Sequence, residues 1–330
     1  MLNVNSILLA RDFSPVSNQA FRYTLDFAQR TGATLHVLYA QVLHEDPTQP
    51  GEELKPAGDI NEIRRHLSLH ADGKKVDRSV FDVEIKEAVV RDVAAAPAIL
   101  NYASEHDIDM IGLGTHGRRG LRRFLLGSVA EEVVRRADRP VLTVRGEEDE
   151  ARTEDFHPAK KILVPIDFSD PSREALRYGL ALGALYDASV EVLHVIEQKL
   201  HPAFYVGGVT DIRDIDPNIE KKVKERLQKF IDETVQLGAP VPGGPDAEAA
   251  SVPVRSSITP HVIVGTVDTE VPAFIDENDV DLVAMSTKGQ TGLDRVLLGS
   301  VAEKIVRLSS CPVLTVKSTG KSLVEPNTRN

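Results

Sequence analysis

Two stretches of this 330-residue chain carry residue types that could grip a phosphate. The first reads Gly112-Leu113-Gly114-Thr115-His116-Gly117, continues through Arg118, Arg119, Arg122 and Arg123, and ends Leu125-Leu126-Gly127-Ser128-Val129. Its spacing is Gly114-x2-Gly117-x9-Gly127-Ser128. Gly114 and Gly117 have no Cβ, so backbone amides there can approach a ligand closely. Ser128 with Glu131 fits a capping box, which sets a helix start at Ser128. First-turn amides of such a helix lack intrahelical partners and lie at the positive end of its dipole, so they bind anions. The four arginines could neutralise phosphate oxygens; His116 could touch a phosphate or face water. A plainer account treats the glycines as turns and the serine as a cap. Strand, glycine loop and capped helix in that order, in two copies, favour the phosphate.

The second stretch reads Met285-Ser286-Thr287-Lys288-Gly289 and then Gly299-Ser300-Val301. The Gly289-x9-Gly299-Ser300 spacing survives, but Ser286 replaces the first glycine. If that position needs φ > 0 or a close backbone approach, the serine Cβ costs about 1 kcal/mol or more. Whether the second copy binds a ligand stays open.

The elements around these motifs come from a duplication. Ile7–Ser14 matches Ile162–Ser169, Leu125–Glu131 is identical to Leu297–Glu303, and Pro140–Val144 to Pro312–Val316. The offset grows from 155 to 172, so the second copy carries 17 more residues in its middle, much of them near the Pro/Gly-rich Gly238–Pro245. In the first copy, short apolar runs at Ser6–Arg11, Thr34–Gln41, Asp109–Gly114 and Pro140–Arg145 read as buried strands, and Val80–Ala88 alternates like another. Helical spacing marks Ala20, Phe21, Leu25 and Ala28, then Ala94–Glu105 and Val129–Ala137, with a further helix expected over Gly58–His70. The second copy repeats the order with a longer second helix, striped by Ile219, Val223, Leu227, Phe230 and Ile231. Alternating strands and helices predict α/β architecture: two doubly wound, five-stranded parallel-sheet domains of Rossmann-like form, with ligands beyond the carboxyl ends of the strands. The expected boundaries are 1–146 and 160–318, joined by an acidic linker over 147–159 and followed by a disordered tail over 319–330.

Composition removes other classes. The net charge is −11, shared as −5 up to Glu150 and −6 beyond it, so no nucleic-acid or anionic-membrane partner is expected. One cysteine, Cys311, excludes an intramolecular disulfide and a cysteine metal cluster. No apolar run is long enough to span a bilayer and no leader is evident, so a cytoplasmic location is expected.

The motif, together with ILVPIDFS in Ile162–Ser169 and LLGSVAEKIV in Leu297–Val306, resembles the universal stress protein family, over nearly all of both halves. The resemblance implies the adenine nucleotide α-hydrolase-like fold and ATP, ADP or AMP as cofactor, with magnesium accompanying ATP. It also implies pairing of fifth strands, here as an intramolecular pseudo-dimer; a further homodimer stays open. It assigns Asp12 to the adenine or ribose edge, Ala10, Ala40 and Leu113 to the adenine pocket and Gly114 to the ribose. Gly117, Gly127, Ser128 and Val129 are assigned to the phosphates. Ala10 departs from the family's usual proline. In the second copy Pro165, Asp167, Val195 and Met285 match the adenine side, and Ser286, Gly289, Gly299, Ser300 and Val301 follow.

Other residues attract duller readings. His66 and His70 have a zinc-compatible spacing but lack a third ligand. Cys311 reads as a buried small hydrophobe, and His194 as a residue packed on the sheet. The expectation is a stress-response regulator that binds nucleotide mainly through its first copy. The alternatives are a nucleotide-free interaction module or a weak ATPase. Adenylating enzymes of related fold need a Ser/Gly-rich loop after the first strand, and dinucleotide enzymes need G-x-G-x-x-G there. Asp12-Phe13-Ser14-Pro15 offers neither, so no dedicated enzyme is expected.

Overall fold

The computed structural model describes residues 2–12, 14–42, 83–115, 126–145, 158–197, 211–238, 257–287 and 298–324. The chain divides into two compact units, Asn3–Pro158 and Ala159–Asn330 with Met1–Leu2. The expected helix over Gly58–His70 and most of the acidic linker lie outside the described residues.

In the first unit the elements run β1 (Ser6–Ala10), α1 (Pro15–Thr31), β2 (Thr34–Val42), β3 (Ile85–Asp92), α2 (Ala95–Glu105), β4 (Met110–Gly114), α3 (Ser128–Arg136) and β5 (Val141–Val144). The strands are parallel in the order β3-β2-β1-β4-β5. Order reverses between β1 and β4, which opens the crevice where ligands of such sheets bind. The second unit repeats the plan. It runs β6 (Lys161–Pro165), α4 (Asp170–Tyr186), β7 (Ser189–Glu197), a short α5 (Ile212–Ile215), α6 (Ile219–Gly238), β8 (Ile258–Gly265), α7 (Val267–Glu277), β9 (Leu282–Ser286), α8 (Ser300–Leu308) and β10 (Val313–Val316). Its strands take the order β8-β7-β6-β9-β10, also parallel.

The apolar runs behave as strands buried on both faces: Ile7, Leu8 and Leu9, like Ile162, Leu163 and Val164, are inaccessible to solvent. Both first helices start the same way. Ser14 and Ser169 accept from the backbone N–H of Ser17 and Ser172, and a proline follows within the first turn. The stripe along α6 buries Leu227, Phe230 and Ile231. An aspartate ahead of the fourth strand fastens the start of the first strand in each unit. Asp109 Oδ2 accepts from the amides of Asn5 and Ser6 at 2.6 and 3.0 Å. Asp281 Oδ2 accepts from those of Lys160 and Lys161 at 2.8 Å each.

Two expectations need correcting. The third strand is displaced from Val80–Ala88 to Ile85–Asp92, because its register on β2 opens at Leu35 opposite Ile85 and closes at Val42 opposite Asp92. The alternation over Val83 and Ile85 marked the approach to that strand rather than its centre. The tail is not frayed at its start. Leu323 and Val324 are buried, and the Leu323 amide donates to the Tyr178 hydroxyl on α4 at 2.6 Å.

Replacing Asp109 or Asp281 by alanine leaves two main-chain donors without their charged acceptor. Each variant is expected to lose about 1.5–3 kcal/mol of stability, read from the urea midpoint of unfolding, while a control such as Asp232→Ala on the exposed face of α6 leaves the midpoint in place.

Candidate functional site

Register brings the predicted residues to one end of each sheet. Ala10 ends β1 opposite both Leu38 of β2 and Leu113 of β4. Ala40 lies two residues further along β2, and Asp12 lies two residues beyond the end of β1. The main chain then ties this end to the helix start. The Thr115 amide donates to Val144 O at 2.8 Å, and Thr115 O accepts from the Gly127 amide, also at 2.8 Å. Thr115 is buried, so water does not compete for that bond. Whatever path 116–125 take, the first turn of α3 is held beside the carboxyl ends of β4 and β5. The second unit repeats this clamp: Thr287 N donates to Val316 O, and Gly299 N to Thr287 O, at 3.0 Å each.

The capping reading changes. Gly127, with φ −63° and ψ 143°, is the N-cap of α3, and Ser128 is the first helical residue. Gly127 brings no capping side chain, and the same holds for Gly299 ahead of Ser300 on α8. A serine in the first turn cannot serve as its own cap, so the Ser128–Glu131 box does not form. The effect on anion binding is favourable. With glycine at the cap, no side-chain oxygen competes for the first-turn amides, and Ser128 and Val129 stand exposed.

Gly114 also has a packing role. A Cβ there would lie 2.7 Å from Val16 Cγ1 of α1, so helix-on-sheet contact by itself calls for glycine at this position. Gly112 is similar, with its would-be Cβ 2.2 Å from Thr24 Cγ2. In the second copy Ala284 stands in the place of Gly112, and Gly179, which packs against Val164, in that of Thr24. Neither Gly114 nor Ser286 has positive φ, and where α1 carries Val16, α4 carries Pro171. The strain feared for the second site is absent.

Asp12 and Asp167 are held alike. Asp12 Oδ1 accepts from the Ser14 amide at 3.0 Å and from its hydroxyl at 2.6 Å. Asp167 Oδ1 accepts from the Ser169 amide and hydroxyl at 3.0 and 2.5 Å. Each carboxylate thus has one oxygen fixed in an Asx turn that leads into the helix cap. Leu113, Val195 and Met285 are buried at the strand ends, while Pro165 and Val301 are half-buried. His116, Gly117, Gly289 and the four loop arginines lie outside the described residues, as do His66 and His70. Among the described residues no group of three metal-ligating side chains gathers. Cys311 is buried as expected, and burial pushes its thiol up to about 12, far from thiolate reactivity.

One charged group near the end of β1 escaped the sequence reading. Arg11 follows β1 in the first copy, where the second has Ile166. It is buried; its guanidinium donates to Asn18 Oδ1 at 3.0 Å and lies 5.7 Å from the Phe21 ring centre. Burial pulls its pKa below the ordinary arginine value, against the opposing charges of Glu87 and Asp12. The signal was an arginine inside an otherwise apolar strand motif. His194 was expected to pack on the sheet; its Nδ1 lies 2.7 Å from Ile166 O and its ring centre 4.5 Å from that of Phe168. A carbonyl only accepts, so Nδ1 carries the proton. Burial, with help from the Arg226 charge, lowers its pKa; the Ile166 hydrogen bond and Asp167 oppose this.

A doubly wound parallel sheet whose fourth strand is clamped to the start of the next helix defines a Rossmann-like α/β class. Comparison narrows the class. The sequence profile described as the universal stress protein family matches residues 3–145 and 158–317. The chain belongs to the universal stress protein family, with two such domains in tandem. A universal stress protein of Methanocaldococcus jannaschii is 30% identical over 162 residues, covering 49% of this chain and 84% of its own. A second from the same organism is 29% identical over 159 residues, covering 48% and 94%. Among solved structures, a universal stress protein from Archaeoglobus fulgidus covers 95% of this chain and 98% of its own, with a TM-score of 0.56 at 19% identity. A functionally unknown protein from Pseudomonas aeruginosa covers 95% and 92%, with a TM-score of 0.60 at 16% identity. These two likenesses concern the fold. No helix among the described residues is long and apolar enough to cross a membrane.

The His194 environment has a pH signature. A histidine whose folded pKa is depressed contributes stability that is present above its unfolded value, near about 6.5, and lost as pH falls through the folded value. The urea midpoint is expected to drop as pH is lowered from about 6.5, and His194→Asn is expected to make that slope shallower. An unchanged slope in the variant would show that His194 titrates as in the unfolded chain.

Proposed function

We propose that this protein is a regulatory binder of adenine nucleotide, with the phosphates on the first turn of α3 and the base over the ends of β1, β2 and β4. The observation that carries the reading is the clamp. Thr115 O accepts from Gly127 N, which ties a helix start with glycine at its cap to the residue that follows β4, and this supports main-chain donors and the helix dipole as the phosphate grip. The family supports an adenylate ligand in that place, through Ala10, Asp12, Ala40, Leu113, Gly117, Gly127, Ser128 and Val129. ATP would bring magnesium, held mostly by phosphate and water. The second copy has the same clamp, the same Asx turn and no strain at Ser286, which supports a second site through Pro165, Asp167, Val195, Met285 and Gly299–Val301. The role is sensing adenylate or gating a contact rather than turnover.

The test uses a substitution that closes the site without harming the fold. Gly127→Asp places a carboxylate where it takes the first-turn amides and repels phosphate. Aspartate is a better cap than glycine, so stability is expected to hold or rise by up to about 1 kcal/mol. Calorimetry with ATP, ADP and AMP is expected to show binding to the parent protein and loss of the first-copy site in the variant. No heat with any of the three at millimolar concentration, or full binding in the variant, would contradict the assignment.

A further inference from the structure

The Asx turn of the second copy contains a strained residue. Phe168, between Asp167 and Ser169, has φ of +65°, a left-handed conformation that is unfavourable for a bulky side chain. Neighbouring groups hold it there. On one side its ring centre lies 4.5 Å from that of His194. On another the Arg226 guanidinium of α6 sits over the ring at 4.1 Å. Phe230, one helical turn along α6, meets Phe168 edge to face at 5.7 Å, and its own ring carries Arg173 at 4.1 Å. Arg173 is fixed in turn by Thr234 Oγ1 at 3.1 Å and Glu233 Oε2 at 3.4 Å. Phe230 is buried, whereas Arg226 is exposed and free of the core.

We propose that Arg226 is a positioning residue for ligand binding in the second copy: by stacking on Phe168 it holds the Asp167–Ser169 turn in its ligand-ready form. The proposal rests on the adenylate reading for what the turn receives. The physical link is population. A strained turn without its stack relaxes to other conformers, and the apparent affinity falls by the fraction that stays competent. The stack is a cation–π contact, so charge and geometry both matter. It touches no ligand and acts through Phe168, so α6 becomes the element through which events on the outer helix reach the second site.

Full-length protein carrying Gly127→Asp isolates the second site for titration with ATP. Adding Arg226→Ala is expected to weaken binding about three- to tenfold. Arg226→Lys should keep most of the affinity, and Arg226→Met, which keeps the stem without the charge, should behave like alanine. Equal affinity in all four proteins overturns the proposal. A second readout needs no nucleotide. The Ser169 amide donates to Asp167 Oδ1, so its 15N–1H signal should shift and its hydrogen exchange should accelerate in Arg226→Ala and Arg226→Met but not in Arg226→Lys. If the second site takes no ATP even with Arg226 in place, the adenylate reading of this copy fails, and the Ser169 signal alone decides the positioning claim. An unmoved signal overturns it.

Discussion

One main-chain hydrogen bond organises each half of this protein: the carbonyl that follows the fourth strand accepts the amide of the glycine that opens the next helix. Everything proposed for the site depends on it. A helix dipole acts over its first turn only, so the helix start must be brought to the crevice to matter there. A loop could wander; a bond from buried Thr115 or Thr287 does not let the helix start wander with it. The second bond of each threonine, to the end of the fifth strand, ties the same point into the sheet. The clamp is therefore anchored in the parallel sheet itself.

The two copies show which features the fold needs and which it can trade. Kept in both are the clamp, the glycine at the helix cap, the Asx turn into a serine cap, and the aspartate that fastens the first strand. Traded are the small residues between the first helix and the fourth strand. Gly112 makes room for Thr24 in one copy, whereas in the other Ala284 takes the place of Gly112 and Gly179 makes room for Val164. The end of the second helix is also secured differently. Arg139 donates to Ala103 O and Ile108 O at 2.6 Å in the first unit, where the second has Cys311 and uses Lys161 on Asn278 O. Such exchanges mark positions under packing constraint. The shared set marks main-chain fastenings at both ends of the first strand and at the helix start after the fourth.

Much of this was legible in the sequence, for identifiable reasons. Strands buried on both faces write themselves as apolar runs, and the repeat doubled every signal; β1, β2, β4 and β5 and their counterparts emerged within a residue or two. The edge strand β3 did not, because half its side chains face solvent and the alternation begins before the pairing does. Spacing named the candidate site residues, but not all of their local contacts were readable. A glycine that packs under a helix looks in sequence like any other, and only the distance from Gly114 to Val16 reveals that contact. A serine one residue inside a helix looks like its cap. Arg11, Phe168 and Arg226 were missed because their meaning lies in contacts across 7 to 58 positions, from Arg11 to Asn18 and from Phe168 to Arg226.

The account stands or falls on main-chain amides gripping phosphate at the first turn of α3. The direct measurement is a titration of isotope-labelled protein with ATP, following the backbone 15N–1H signals of Ser128, Val129 and Ala130. The account requires these three to shift together and to saturate with the calorimetric affinity, while amides at the far end of α3 stay in place. Nucleotide binding that leaves all three unmoved would contradict it.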